Sequence, residues 1–249
     1  MRASIAIIVG AAASVALAGC SGPPAQSDAR NLGQARAAQP VYECRRAASR
    51  LKIDGSLDDP AWQDAPFSDL FLVSARNVRQ MPDKLATRMK LLYDADNLYV
   101  AFDCEDGDIW STFAKRDDPV QFEKTTVLNI DPLGNGRDYI GICINPLNAL
   151  LDLKAAGGPP ELSRRSWMRA IAWNAPGIEH AVAVSGTVNK RDDLDDRWTV
   201  EIRIPFSDVG VRPLQGDTWR IQAGRHDYWL GGNVISSWTK DGFGSLTFK

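Results

Sequence analysis

Side chains able to do chemistry are few in this chain and poorly grouped. Only two histidines occur, His180 and His226, and neither lies in a spaced metal-ligand motif such as H-E-x-x-H. A G-x-S-x-G elbow and a glycine-rich phosphate loop are both missing, which argues against a familiar nucleophilic hydrolase and a nucleotide site. The acid pairs Asp117-Asp118, Asp192-Asp193 and Asp195-Asp196 neighbour turn residues, and nothing sets two carboxylates across a sugar ring as glycoside hydrolysis requires. The chain therefore reads as non-enzymatic. One loop, Asp131-Pro132-Leu133-Gly134-Asn135-Gly136-Arg137-Asp138, brings oxygen donors and glycines together. Asp131, Asn135 and Asp138 there could hold calcium, a hard cation that wants clustered oxygens. The competing reading is a hairpin whose Asx side chains cap backbone amides. No cofactor is required. The tryptophans offer the other chemistry, because an exposed indole face stacks on the C–H groups of a pyranose while nearby polar groups bind its hydroxyls. There are eight. Trp62, Trp198 and Trp219 sit among apolar partners, whereas Trp110, Trp167, Trp173, Trp229 and Trp238 lie nearer to turns or polar residues.

The elements that must position these groups are strands. Trp198, Val200, Ile202, Ile204 and Phe206 alternate with Arg197, Thr199, Glu201 and Arg203, which predicts a half-buried antiparallel strand. Leu85, Thr87, Met89, Leu91 and Tyr93 lead through Asp94-Ala95-Asp96-Asn97 into Leu98, Val100, Phe102 and Cys104, a hairpin whose acids cap turn amides and whose Asn97 tolerates positive φ. Further strands are expected near 124–130, 138–144, 168–173, 180–188, 218–224 and 245–248. Only 58–65, with Pro60 in its first turn, suggests a short helix. Many short strands with little helix to cover a parallel sheet make the fold all-β, a two-sheet antiparallel β-sandwich with short helical segments.

Arg2, an apolar run from Ile5 to Ala18 and Leu17-Ala18-Gly19-Cys20 form an export signal too short and broken to be a lasting membrane span. The pattern resembles the lipobox of bacterial lipoproteins, which implies cleavage after residue 19 and acylation of Cys20. Ser21 resembles the outer-membrane sorting pattern, and the membrane face stays open. Residues 20–40 contain no aromatic and read as a flexible tether, leaving 41–249 as one domain. The formal charge of −2 becomes −3 once Arg2 is removed, and no basic stripe marks a nucleic-acid binder. Cys44, Cys104 and Cys143 allow one disulfide or three inert thiols.

Across about 50–248 the ordered pieces Ile53-Asp54-Gly55-Ser56-Leu57-Asp58-Asp59-Pro60-Ala61-Trp62, Leu92-Tyr93-Asp94-Ala95-Asp96-Asn97-Leu98-Tyr99-Val100-Ala101-Phe102, Ile130-Asp131-Pro132, Trp198-Thr199-Val200-Glu201-Ile202-Arg203-Ile204-Pro205-Phe206 and Gly216-Asp217-Thr218-Trp219-Arg220 resemble the family 9 carbohydrate-binding modules and their extracytoplasmic relatives. The resemblance implies a β-sandwich that clamps a glycan end between two tryptophans. Trp238 matches one clamp residue; the other falls near Gln121, with Phe122 the nearest aromatic. An acidic family position is Val127 here, and polar positions fall at Gly141 and Cys143. The expected function is non-catalytic binding of an oligosaccharide or polysaccharide at the cell envelope, by Trp238, Phe122, Arg225, Trp110 and Trp173. Two other readings stand beside it. One is a structural or partner-binding lipoprotein; the other is a haem-binding redox subunit using Met81, Met89, Met168, His180 or His226 as axial ligands.

Overall fold

The computed structural model describes residues 39–76, 84–229, 232–240 and 242–249. The signal, Cys20, most of the tether and Met81 lie outside them. The described chain forms twelve strands: β1 Val41–Arg46, β2 Leu72–Arg76, β3 Thr87–Tyr93, β4 Asn97–Glu105, β5 Thr125–Asp131, β6 Tyr139–Ile144, β7 Leu150–Ala155, β8 Glu179–Ser185, β9 Arg197–Pro205, β10 Thr218–Trp229, β11 Gly232–Ser237 and β12 Gly244–Phe248. Two short helices are added, α1 Arg164–Ala170 and α2 Phe206–Val209. This is the expected all-β sandwich with short helical segments.

One sheet runs β7-β6-β5-β10-β12-β1 and the other β1-β3-β4-β9-β8. Strand β1 joins them, with Val41–Cys44 parallel to β12 and Arg45–Arg46 parallel to β3. Long β10 serves two neighbours on one edge: its first residues pair with β12, and Gly224–Trp229 pair with β11, which carries β2. Period-two alternation aims Met89, Leu91, Val100, Phe102, Val200 and Ile202 from one sheet at Leu128, Ile130, Ile142, Trp219 and Ile221 of the other, and these form one continuous core. Cys44, Cys104 and Cys143 are free, buried thiols. Burial pushes Cys104 and Cys143 up to about 12, so they stay protonated and unreactive at neutral pH.

Three local expectations change. Residues 168–173 are not a strand: Ser163 accepts from the Ser166 amide as an N-cap, and Trp167 and Ile171 share one helical face against the sheet. In the hairpin turn, Asp94 accepts from the amides of Asp96 and Asn97 at 2.7 Å each, and Asn97 begins β4 without a positive φ. The 58–65 segment is a single 3-10 turn, Pro60–Asp64, capped by Asp59.

The outer face of β4 and β9 is covered too. Trp62, Leu51 and Ala61 pack on Tyr99 and Ala101. Glu201, expected on a wet face, is buried there and accepts from Trp62 Nε1 at 2.7 Å, Gly55 N at 2.8 Å and Asp54 N at 2.9 Å. Gly55 has φ 88°, and a Cβ on it would meet Ala183 N at 2.6 Å, so the N-terminal segment is clipped tightly to the sheet. Glu201→Ala would orphan three N–H donors and is expected to lower stability by about 2–3 kcal/mol in urea unfolding. Burial raises the Glu201 carboxyl above its ordinary 4.5 even though the three donors oppose that shift. A raised acid binds its proton in the folded state first, so its contribution falls as pH rises from 4.5 through the folded value. The stability gap between wild type and Glu201→Gln should therefore narrow from pH 4.5 to neutrality; a widening gap would reverse this assignment.

Candidate functional site

Strand β10 sorts its residues cleanly between the two sides of its sheet. Trp219, Ile221 and Ala223 enter the core, so Arg220, Gln222, Gly224, His226 and Tyr228 face outward. On neighbouring β5 the outward residues are Thr125, Val127, Asn129 and Asp131, and the pairing sets Gln222 opposite Asn129 and Gly224 opposite Val127. On β6 the same rows continue into Gly141 and Cys143. Helix α1 and Ile171 cover the far side of this face, packing on Cys143, Leu151, Leu153 and Ala155. What remains is a half-buried strip over β5 and β10, where Asn129, Gln222 and His226 are partly exposed.

The strip is polar in its middle and aromatic at both ends. Asn129 Nδ2 donates to Gln222 Oε1 at 3.0 Å, which fixes two half-buried amides and leaves each with unused donors or acceptors. At one end Arg220 lies 5.3 Å from the Phe243 ring, which meets Tyr139 edge to face at 5.7 Å. At the other, His226 Nδ1 donates to the Gln121 carbonyl at 3.4 Å, and Phe122 beside it is 65% exposed. Burial lowers the His226 imidazole below its usual range, so it stays neutral at pH 7. From Arg220 to His226 the strip spans roughly 20 Å at about 3.3 Å per residue.

The short turn that carries Phe122 is held from beneath by two adjacent buried charges. Glu123 accepts from the Ser111 hydroxyl, Thr112 N at 2.8 Å, Phe113 N at 3.2 Å and Asn145 Nδ2 at 2.7 Å. Lys124 enters the interior, where its Nζ lies 2.8 Å from Asp106 and 3.2 Å from Asp227. Arg225 completes this quartet, 2.7 Å from Asp106 and 2.9 Å from Asp227, and Trp198 Nε1 donates to Asp106 at 3.3 Å. Arg225 is thus buried and engaged by carboxylates, with a further bond to the Glu105 carbonyl at 2.6 Å. Its expected reach to sugar hydroxyls is corrected, because position 225 falls on the inward side of β10.

Of the other expected ligand residues, Phe122 is exposed on the turn beside one end of the strip, next to Gln121, whose carbonyl meets His226. Trp238 donates its amide to Ala223 O at 3.0 Å, which puts its ring on the inward side with Ala223; it is 6% exposed and lies in the core, against Gly244. That corrects the open stacking plane expected of it. Trp110 is half-buried in the loop after β4, and Trp173 packs on the core with Lys154 Nζ 5.8 Å from its ring. In the Asp131 loop the oxygens expected to hold calcium accept from backbone amides. Asp131 accepts from Asn135 N at 3.3 Å and Gly136 N at 2.6 Å, and Asp138 from Gly157 N at 2.8 Å. Asn135 Oδ1 accepts from the amides of Arg137 and Asp138. In this structure these oxygens cap a hairpin whose Gly134 and Gly136 both have φ 68°, the competing arrangement the sequence offered. Among the described residues no group of three or more His, Cys, Asp or Glu side chains is placed to hold a metal. Met89 is in the core, His180 donates to Asn148 at 2.7 Å, and Met168 stands on α1.

Sequence reasoning missed Asn129 and Gln222. The alternation of β10 carried the signal, for it makes position 222 outward once Trp219 and Ile221 are assigned to the core. With this geometry in place, comparison with known proteins is informative. Residues 53–124 match the carbohydrate family 9 binding domain-like model. That span is under a third of the chain and holds the clip from Ile53 to Trp62, the β3–β4 hairpin and the Phe122 turn. No curated relative matches by sequence. Among solved structures, a Bacteroides uniformis protein assigned to carbohydrate binding is similar at 15% identity, covering 85% of this chain and 100% of that one with a TM-score of 0.63. A family 9 module of Caldicellulosiruptor kristjanssonii in complex with cellotriose has 14% identity, coverage of 84% and 94%, and a TM-score of 0.57. A glucose complex of a family 9 module from the same organism covers 84% and 96%, at 14% identity and a TM-score of 0.54. At these identities the likeness establishes the fold, which is that of the family 9 modules.

Proposed function

We propose that the chain is a non-catalytic carbohydrate-binding lipoprotein of the bacterial envelope, anchored through Cys20, and that the strip over β5 and β10 receives the sugar. One observation carries this reading: a fixed amide pair, Asn129 and Gln222, is flanked by Phe122 at one end and by Arg220 with Phe243 at the other. Amides supply donors and acceptors to hydroxyls, and an exposed ring supplies a stacking plane. The likeness to modules solved with cellotriose and glucose supports β-glucan ends as first ligands to try.

Calorimetric titration with glucose and cellotriose, alongside a glycan array rich in free reducing ends, tests the site. Phe122→Ala should weaken binding about thirtyfold, as expected for a lost aromatic hot spot, and Gln222→Ala about tenfold. Phe122 is 65% exposed, so its variant should unfold like the wild type, and Gln222→Ala should lose only the bond to Asn129, about 1 kcal/mol. An empty array, or wild-type affinity in both variants, would overturn the sugar site. The anchor has its own test, since the mature protein should show an acyl mass that Cys20→Ser lacks.

A further inference from the structure

The segment from Lys154 to Ala170 presents an exposed face that sugar binding does not use. The chain leaves β7 through Gly157, Gly158, Pro159 and Pro160 and turns into α1. Lys154, Arg164, Arg165 and Arg169 are all exposed, and among the described residues the three arginines pair with no acidic side chain. Glu161 is the segment's only acid, in a protein whose formal charge is −2. Positive charge is thus concentrated here against the balance of the chain. Two large apolar side chains stand among these cations, with Leu162 81% and Met168 53% exposed. Beside them a cavity of about 120 Å³ is lined by Lys154, Gly157, Gly158, Leu162, Ser166 and Arg169. Lys154 and Arg169 both contribute to its lining.

Water satisfies the arginines and leaves Leu162 and Met168 in contact with solvent. A soluble polyanion satisfies the arginines and again leaves the apolar pair wet. The boundary of an anionic bilayer satisfies both, since phosphates lie at the height of the cations and hydrocarbon lies just below. We propose that this face rests on an anionic lipid bilayer, with Leu162 and Met168 inserted at the headgroup boundary, a headgroup phosphate in the cavity, and the arginines on its neighbours. The proposal rests on the envelope reading only for the presence of a membrane. About twenty residues separate Cys20 from β1, a reach of up to roughly 70 Å, so a lipid anchor there leaves this face free to settle on the surface.

The test is co-sedimentation of residues 21–249, a chain whose core lies wholly within residues 42–248, with two kinds of vesicle. One is phosphatidylcholine with a third phosphatidylglycerol, the other phosphatidylcholine alone. Binding is expected to the first, at least tenfold weaker to the second, and much reduced at about 0.5 M salt. Replacing Arg164, Arg165 and Arg169 together with Ala should lower partitioning on the order of a hundredfold, about fivefold for each charge. Leu162→Ser with Met168→Ser should lower it about tenfold at unchanged thermal stability. Millimolar inorganic phosphate should not displace the protein. Failure to bind the anionic vesicles, equal binding to both kinds, or wild-type partitioning in either variant would overturn the proposal. So would displacement by phosphate or dextran sulfate with the Leu162→Ser, Met168→Ser variant binding normally, which marks a soluble-anion site. No sugar and no acyl chain enters these measurements, so a negative result leaves the glycan site and the Cys20 anchor standing, and an empty glycan array leaves this face standing.

Discussion

Replacing Asp106 with Ala is expected to cost about 3–5 kcal/mol of stability, because it leaves two buried cations facing one carboxylate. In the wild type Lys124 and Arg225 balance Asp106 and Asp227, and all four are sealed from water. Asp106 does the most in this group: it contacts both cations and also accepts from Trp198 Nε1 and from the Asp108 amide at 3.1 Å. Removing one partner of a buried pair strands the other charge, whereas removing a pair together strands none. The double replacement Asp106→Ala, Lys124→Met should therefore recover much of the loss, and a double-mutant cycle in guanidinium unfolding measures that coupling. Losses under 1 kcal/mol in Asp106→Ala would show that the interior accommodates an unpaired cation. The same variant should loosen the Phe122 turn, since Lys124 adjoins the Glu123 carboxylate that gathers the Ser111 hydroxyl and the amides of Thr112 and Phe113. Weaker glycan binding is expected to accompany the lost stability.

The quartet also shows how far the sequence alone reaches. Alternation located β9 and the first part of β10, up to residue 224, and implied which residues share a side, because period two is a property of one strand. It could not say whether the second side is wet. Glu201 looked solvated by its type, yet the segment ending at Trp62 returns over the outer face of β4 and β9 and buries it. That covering is a contact between residues far apart in sequence, and no local pattern encodes it. The same limit applies to Arg225. Its place in the series Trp219, Ile221, Ala223, Arg225 and Asp227 is inward, but its charge invited an outward reading until Lys124 and Asp106 supplied partners. Short strands fared worse than long ones. β2 and β11 have few residues and little alternation, and β7 reads Leu-Leu-Asp-Leu, so none stood out. At 168–173 a strand-like alternation masked a helix whose decisive signal was the Ser163 cap. For the candidate site, Phe122 was legible as an aromatic next to an expected clamp position, while Asn129 and Gln222 emerge only once two strands are paired in register.

Trp238→Ala decides between the role that family resemblance implies and the one that register imposes. As a stacking residue, the indole would lose roughly 2 kcal/mol of binding and little stability on truncation. As observed, its amide bonds Ala223, its ring joins the core with Ala223 and Leu246, and it fills the space above Gly244, where a Cβ would lie 2.6 Å from the indole. A ring only 6% exposed in that setting leaves a cavity in the core when it is removed. The expected result is a loss of about 3–5 kcal/mol in thermal or denaturant unfolding. Among molecules that remain folded, affinity for any glycan should stay close to wild type, because Asn129 and Gln222 face the opposite side of the sheet and Phe122 lies on the turn before β5. Measuring both quantities on one preparation separates the two roles. A stable Trp238→Ala protein with binding weakened about thirtyfold would return the indole to the ligand and displace the site from the β5–β10 strip.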